Sequence, residues 1–131
     1  MATSLQQKLQ LKSGQAVMIL NPAPGYLDKL TAELKENSLS TEARISAEAV
    51  ILFVNSLAEA NELAPEAIRA VKTDGLLWIA YPKGTAKVKP DVNRDKLWEA
   101  VKVTGWRPVR LIALDEIWSV MRFRPEEKVR K

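Results

Sequence analysis

Three continuous apolar runs along the chain predict its central strands. They cover residues 15–20, 49–54 and 76–81. Continuous runs, rather than runs in which apolar and polar residues alternate, are typical of strands covered on both faces of a sheet. Residues 41–45 are a weaker candidate for a further strand. The pattern therefore predicts a buried sheet made of short strands.

Apolar residues at helical spacing lie between and after these runs. The spacing predicts one helix over residues 27–37 and another over about residues 92–104, with Trp98 facing inward. Between them, residues 55–56 predict the N-cap of a helix that has residues 57, 60 and 64 on one face. Pro65 predicts the first turn of a renewed helix, which Gly75 closes. Strands that alternate with helices favour right-handed crossovers and a parallel sheet with helices on both faces.

The last third of the chain changes character. Residues 109–114 and 117–123 read as two strands joined by a tight connection, which predicts an antiparallel hairpin. Residues 122–131 are rich in Arg and Lys and predict a basic C-terminal tail. We therefore expect residues 1–131 to form a single α/β domain, a three-layer fold with a mostly parallel sheet and a C-terminal antiparallel hairpin.

Several patches of the sequence resemble a family of small bacterial proteins classified only as a domain of unknown function. The patches are residues 11–21, 25–26, 50–56, 74–83 and 115–123. No activity comes with this resemblance. The order of elements is also similar to that of a shortened methyltransferase-type Rossmann fold, which likewise ends in an antiparallel strand pair. The second resemblance implies a Rossmann-like architecture and leaves the function open.

Composition excludes several kinds of chemistry. The chain contains no cysteine and no histidine, so thiolate nucleophiles, sulfur-ligated zinc and histidine-dependent triads are excluded. Hydrophobic residues make up 47% and charged residues 27% of the chain, which is typical of a soluble globular protein. No apolar run resembles a signal peptide or a membrane span. We therefore expect a cytoplasmic protein that does not enter a membrane.

Charge is distributed unevenly along the chain. Residues 1–82 carry 7 Lys and Arg residues and 9 Asp and Glu residues, a net charge of −2. Residues 83–131 carry 13 Lys and Arg residues and 7 Asp and Glu residues, a net charge of +6. The asymmetry indicates an anionic partner for the C-terminal part. A solvated basic face with a basic tail is the alternative interpretation.

A Rossmann-like sheet binds its ligand beyond the carboxyl ends of the strands, where the strand order reverses. The loop expected there runs from Asn21 to Gly25 and contains two prolines and one glycine. Proline lacks the N–H group that a phosphate cradle uses, and no acidic residue follows the weak strand at residues 45–46 to hold a ribose. We therefore predict no cofactor, and we assign Asn21, Gly25, Tyr26 and Asn55 to a candidate ligand site.

A basic loop follows the third apolar run and belongs to the same edge of the predicted sheet. Its cationic and hydroxyl side chains suit a phosphate or a carboxylate. The candidate ligand residues of this loop and its flanks are Tyr81, Lys83, Thr85, Lys87, Lys89 and Arg94. A solvated loop without a ligand is the alternative interpretation.

Two further features of the sequence have a functional interpretation. Asp115 and Glu116 carry oxygen ligands suited to Mg²⁺, but adjacent acidic residues at a turn more commonly bond the local backbone, and we predict no metal. Trp106 and Trp118 lie near arginines in the sequence and suggest a stacking surface for nucleobases.

Three functional hypotheses follow. The first is a non-catalytic Rossmann-like module that binds an anionic small molecule or a partner protein. The second is nucleic-acid binding through the basic C-terminal half, and the third is a minimal methyltransferase-like transferase. A monomer and a homodimer formed through the antiparallel edge are both compatible with the sequence.

Overall fold

A computed structural model describes residues 8–12, 14–22, 25–34, 37–40, 47–83, 91–114 and 118–125. The strands are β1 (Ala16–Leu20), β2 (Ser38–Ser40), β3 (Ala47–Phe53), β4 (Val71–Pro82), β5 (Trp106–Ala113) and β6 (Trp118–Pro125). The helices are α1 (Tyr26–Glu33), α2 (Leu57–Ala70) and α3 (Arg94–Lys102). Within this part of the chain, no helix is long and apolar enough to cross a membrane.

The strands form one sheet in the order β2-β1-β3-β4-β6-β5. β1 pairs in parallel with β2 and β3, and β3 pairs in parallel with β4. β6 is antiparallel to both β4 and β5. The predicted mostly parallel sheet with a C-terminal antiparallel hairpin is therefore confirmed, and β5 becomes the edge strand because β6 lies between it and β4.

Helices cover both faces of the sheet. α2 and α3 pack on one face, where α2 contributes buried alanines and α3 contributes Leu97 and Val101. α1 packs on the other face through Leu30, which is fully buried together with β-strand residues such as Ile51. The arrangement has three layers, as the alternation of strands and helices predicts.

The N-terminal segment 8–12 also covers the α1 face of the sheet. Leu9 is buried, and its carbonyl oxygen accepts a hydrogen bond of 3.0 Å from the indole N–H of the fully buried Trp78 in β4. The side chain of Gln10 accepts a hydrogen bond from the Arg122 guanidinium in β6. The N-terminal segment is thus tied to the centre of the sheet.

The prediction that Pro65 starts a renewed helix is wrong. α2 runs without a break from Leu57 to Ala70 and has Pro65 inside it. The buried residues of α2 are alanines at positions 60, 64, 67 and 70, on both sides of the proline. Because this single buried stripe packs along the whole helix, tertiary packing outweighs the backbone hydrogen bond that the proline cannot make.

Gly75 does not close a helix either, because it lies within β4. The pairing of β3 with β4 shifts register here, since Ala47 pairs with Val71 but Ala49 pairs with Leu76. A Cβ atom on Gly75 would lie 3.0 Å from the carbonyl oxygens of both Glu48 and Lys72. Glycine therefore permits a close backbone approach at a strand irregularity.

Trp98 is not part of the core, contrary to the prediction for α3. Leu97 and Val101 are fully buried, whereas Trp98 is 38% exposed. Consecutive residues of a helix are about 100° apart around its axis. The helix therefore buries the stripe that contains Leu97 and turns Trp98 toward its flank.

Two other boundaries differ from the predictions. The second strand is Ser38–Ser40, and the predicted strand at residues 41–45 lies outside the described residues. β6 continues to Pro125 and buries Phe123 completely. Residues 122–125 are therefore strand and not tail, because they pair with β5 and pack in the core.

Candidate functional site

The strand order reverses next to β1. The chain places β2 on one side of β1 and β3 on the other, so the carboxyl ends of β1 and β3 border the crevice in which α/β folds of this kind bind ligands. Asn21 directly follows β1, and Asn55 comes two residues after β3. Both predicted residues therefore lie at the expected edge of the sheet.

Glu59 joins these two asparagines. Its Oε1 atom accepts hydrogen bonds from the Asn55 backbone N–H at 2.6 Å, the Asn55 side-chain amide at 3.2 Å and the Asn21 side-chain amide at 3.4 Å. The Asn21 amide also donates to the carbonyl oxygen of Phe53 at 2.9 Å. These bonds form the crevice network, which links the ends of β1 and β3 through a carboxylate of α2.

The N-terminus of α2 is also bonded within the chain. The Ser56 hydroxyl accepts a hydrogen bond from the Glu59 backbone N–H at 3.2 Å. The Asp91 Oδ1 atom accepts one from the Leu57 backbone N–H at 2.8 Å. A helix N-terminus is where backbone N–H groups commonly hold a ligand anion, and here the Ser56 hydroxyl and the Asp91 carboxylate of the chain accept hydrogen bonds from two of these N–H groups.

Glu59 and Asp91 are not among the predicted site residues. The spacing Ser56-x-x-Glu59 matches a helix capping box, so a local signal for Glu59 exists in the sequence. Asp91 reaches Leu57 from 34 residues away, and no local pattern predicts that contact.

An aromatic cluster lies at the same edge of the sheet on the α1 face. The Tyr26 ring centroid is 5.5 Å from that of Phe53 and 5.9 Å from that of Trp118, and the latter two are 5.2 Å apart. Trp118 and Trp106 are both buried. The predicted nucleobase-stacking surface is therefore wrong, because both rings pack against the chain itself. Gly25 precedes α1 in a left-handed conformation, with φ of 81°.

Tyr81 faces the other side of the sheet. Its ring is buried with the residues of α2 and α3, and its hydroxyl forms a hydrogen bond with the Ser119 side chain. Burial raises the pKa of Tyr81, and the Ser119 hydrogen bond and the Arg94 charge offset only part of that rise. Tyr81 and Arg94 therefore lie near each other, and Tyr26 packs on the opposite face.

The predicted site residues thus fall into separate groups. Asn21 and Asn55 meet through the crevice network, and Tyr81 and Arg94 are close enough to interact. Lys83 is half-buried just after β4. Thr85, Lys87 and Lys89 lie outside the described residues, as do Asp115 and Glu116. The strand β2 is Ser38–Ser40, so residues 45–46 do not close it, and the lack of an acidic residue there does not bear on ribose binding.

A groove lies between α3 and the C-terminal hairpin. A depression of about 340 Å³ runs between α3 and strands β5 and β6, and another of about 450 Å³ lies toward the end of α3. Trp98 lines both depressions. We call the two depressions together the Trp98 groove. Because the helical spacing predicts an inward-facing Trp98, the sequence does not indicate this surface.

Solved structures share this fold at low sequence identity. A SAM-dependent methyltransferase from Aquifex aeolicus is 14% identical with a TM-score of 0.65, over 91% of this chain and 86% of that one. The cyclase SpnF is 10% identical with a TM-score of 0.59, over 92% of this chain and 78% of that one. Aeropyrum pernix fibrillarin, solved with bound S-adenosylmethionine, is 8% identical with a TM-score of 0.54, over 86% of this chain and 67% of that one.

The chain has a methyltransferase-like Rossmann fold. At 8% to 14% identity, these similarities establish the architecture and not an activity, since one fold carries many functions. No protein-family model matches the chain, and no curated protein matches it in sequence. The resemblance to the small bacterial family therefore stays a prediction.

Proposed function

We propose that this protein is a non-catalytic binding module that uses a methyltransferase-like fold to recognise an anionic ligand or partner. The observation that carries the proposal is the crevice network, in which Asn21 and Asn55 both donate hydrogen bonds to Glu59 at the strand-order reversal. The side-chain amides of Asn21 and Asn55 and the Oε1 atom of Glu59, which lie at the edge where such folds bind a cofactor, already form hydrogen bonds within the chain.

A cofactor would have to replace these internal bonds. Hydrogen bonds to a charged group contribute about 1.5–3 kcal/mol each, and Glu59 and Asp91 each accept from a backbone N–H group at the start of α2. A ligand carboxylate or phosphate placed there would also meet two carboxylates of the chain. The energetics therefore favour a closed crevice over a cofactor site.

The charge distribution supports an anionic ligand or partner. Residues 83–131 have a net charge of +6, and Arg94 is largely exposed at the start of α3. Lys83, Lys87 and Lys89 belong to the same basic stretch of sequence. Clustered positive charge raises the local concentration of anions and accelerates their association.

Calorimetry and thermal shifts test the proposal. We expect no heat of binding with S-adenosylmethionine or S-adenosylhomocysteine up to millimolar concentration, and binding of either would refute the closed crevice. Among nucleotides, phosphorylated metabolites and acidic peptides, we expect at least one to raise the melting temperature. That shift should disappear when Lys83, Lys87, Lys89 and Arg94 are replaced together by alanine.

A nucleic acid is a second candidate ligand. The register of β5 and β6 places Arg107 opposite Arg124 and Arg110 opposite Arg122, which concentrates positive charge on the hairpin. Phosphate contacts release counterions, so such binding should weaken steeply as salt rises. Fluorescence anisotropy with labelled RNA and duplex DNA tests this, and absence of binding at about 50 mM salt removes the candidate.

A further inference from the structure

The exposed large apolar side chains of the described residues lie together on one part of the molecule. They are Trp98 (38% exposed), Val103 (82%), Val109 (40%) and Leu111 (45%). The first two belong to α3 and the turn after it, and the other two belong to the edge strand β5. Scattered exposed apolar residues are ordinary, but a contiguous group of them indicates a binding surface.

Three of these side chains, Trp98, Val103 and Leu111, line the Trp98 groove. The first depression has an apolar lining that includes Pro108, Leu111 and Met121. The second is lined by Val103 and Lys102, among others. Because the indole of Trp98 lines both, an apolar side chain placed on either side of it would pack against the ring. Tryptophan in such a position is a common energetic centre of protein interfaces.

The charges around the Trp98 groove are mostly positive. Its lining includes four cationic residues and one carboxylate, Asp95, which pairs with Arg94 at 3.5 Å. Arg94 lies at the first turn of α3 and Lys102 at its last residue. The Lys102 Nζ atom is 6.0 Å from the centre of the Trp98 ring. An occupant with negative charges at both ends of an apolar centre would complement this surface.

The length of the groove favours a peptide. α3 has nine residues and is about 13 Å long at 1.5 Å per residue. An extended chain of about four residues covers that distance. Cations at both ends of the helix match acidic residues that flank a central apolar residue in such a chain.

Addition of a partner strand to β5 is disfavoured. Pro108 lacks a backbone N–H group, and the pairing of β5 with β6 is irregular between Pro108 and Arg110. Prolines, bulges and charged side chains protect sheet edges against pairing with another strand. The occupant is therefore expected to bind through side chains in the groove and not through the sheet edge.

We propose that the Trp98 groove docks an acidic segment of a partner protein whose central apolar side chain packs against Trp98. The inference rests on the proposed binding function and names the surface and the partner chemistry. The acidic residues of the segment pair with Arg110 and with the cations at the two ends of α3.

Fluorescence anisotropy tests the docking directly. The probes are short labelled peptides in which acidic residues flank leucine or tryptophan, and the control peptides carry lysine in place of each acidic residue. We expect only the acidic series to bind, and we expect Trp98→Ala to weaken that binding roughly thirtyfold. Leu111→Asp, at an exposed position of the edge strand, should also weaken it and provides a second test if Trp98→Ala folds poorly.

A matched pair of charge reversals separates local pairing from net charge. Arg110→Glu lies in the groove, whereas Arg69→Glu makes the same charge change on an exposed residue of α2. We expect Arg110→Glu to reduce affinity severalfold, mainly through slower association, and Arg69→Glu to leave it nearly unchanged. Equal effects of the two reversals would overturn the proposed pairing.

Other results would also overturn the proposal. They are absence of binding by the acidic series, equal binding of the lysine series, and binding that Trp98→Ala and Leu111→Asp leave unchanged. Self-association that Trp98→Ala abolishes in sedimentation analysis would assign the groove to a second copy of this chain. Binding of S-adenosylmethionine in calorimetry would refute the closed crevice alone, because the peptide measurements do not depend on that crevice.

Discussion

Replacing Glu59 by alanine removes the acceptor at the centre of the crevice network. In the native chain one carboxylate oxygen accepts from the Asn55 backbone N–H at 2.6 Å and from two side-chain amides at 3.2 and 3.4 Å. The alanine variant leaves the asparagines at the ends of β1 and β3 without their shared partner. We expect the protein to fold but to lose stability.

The expected loss follows from the geometry. A hydrogen bond to a charged acceptor contributes about 1.5–3 kcal/mol, and a negative charge at a helix N-terminus adds about 0.3–1 kcal/mol. Glu59 is only half-buried, so water replaces part of what is lost, and we expect Glu59→Ala to cost about 2 kcal/mol. Glu59→Gln keeps an oxygen acceptor of the same shape and should cost about 0.5–1 kcal/mol.

Urea titration followed by tryptophan fluorescence measures these differences in the free energy of unfolding. Glu62→Ala is the matched control, because Glu62 is an exposed residue of the same helix and its replacement should change stability by no more than about 0.5 kcal/mol. If Glu59→Ala costs no more than Glu62→Ala, the crevice network does not stabilise the fold. If Glu59→Gln lowers the free energy of unfolding as much as Glu59→Ala does, the oxygen acceptor that glutamine keeps does not account for the stabilisation.

Three further predictions concern the core. Trp78→Phe removes the hydrogen bond from the indole to the Leu9 carbonyl and leaves a small void. We therefore expect denaturant titrations to show a loss of about 2–3 kcal/mol in the free energy of unfolding, together with faster hydrogen exchange in residues 8–12. Unchanged hydrogen exchange in these residues would show that the bond does not hold the N-terminal segment. Gly75→Ala forces a Cβ atom to 3.0 Å from two carbonyl oxygens and should cost about 1–3 kcal/mol, whereas an unchanged or higher melting temperature would refute the crowding. Because burial raises the pKa of Tyr81, the unfolded chain loses its phenolic proton at lower pH than the folded chain, and stability should fall above about pH 10. Tyr81→Phe should make that alkaline decline shallower, and an equal decline in both proteins would show that Tyr81 is not its source.

The strands could be predicted because burial on both faces leaves a direct trace in the sequence. The apolar runs at residues 15–20, 49–54 and 76–81 coincide with β1, β3 and the second half of β4. The hairpin could be predicted as well, because two apolar segments joined by a short polar link most readily pair with each other as antiparallel strands. The position of Asn21 and Asn55 at one edge of the sheet followed as well, because alternating strands and helices bring the ends of β1 and β3 to one edge.

The composition of the site was only partly predictable. Asn21 and Asn55 could be named because they follow strands that the pattern locates. The partner that joins them, Glu59, lies one helical turn beyond Asn55, and Asp91 reaches the same region from a distant loop. A hydrogen bond between distant segments, such as that of Asp91, depends on how separate elements pack. The periodicity of the sequence does not encode that packing.

By itself the sequence determined the fold class, the charge asymmetry and the exclusion of cysteine and histidine chemistry, because these depend on residue types and on local spacing. Tertiary structure alone decided which apolar residues remain accessible. Leu97 and Trp98 are adjacent and both apolar, yet the packing of α3 buries the first and turns the second toward the edge strand β5. Likewise, only the pairing of β3 with β4 shows that Gly75 permits a close backbone approach. Exposure and crowding are properties of the neighbours that folding brings together, so they appear only when distant segments are in place.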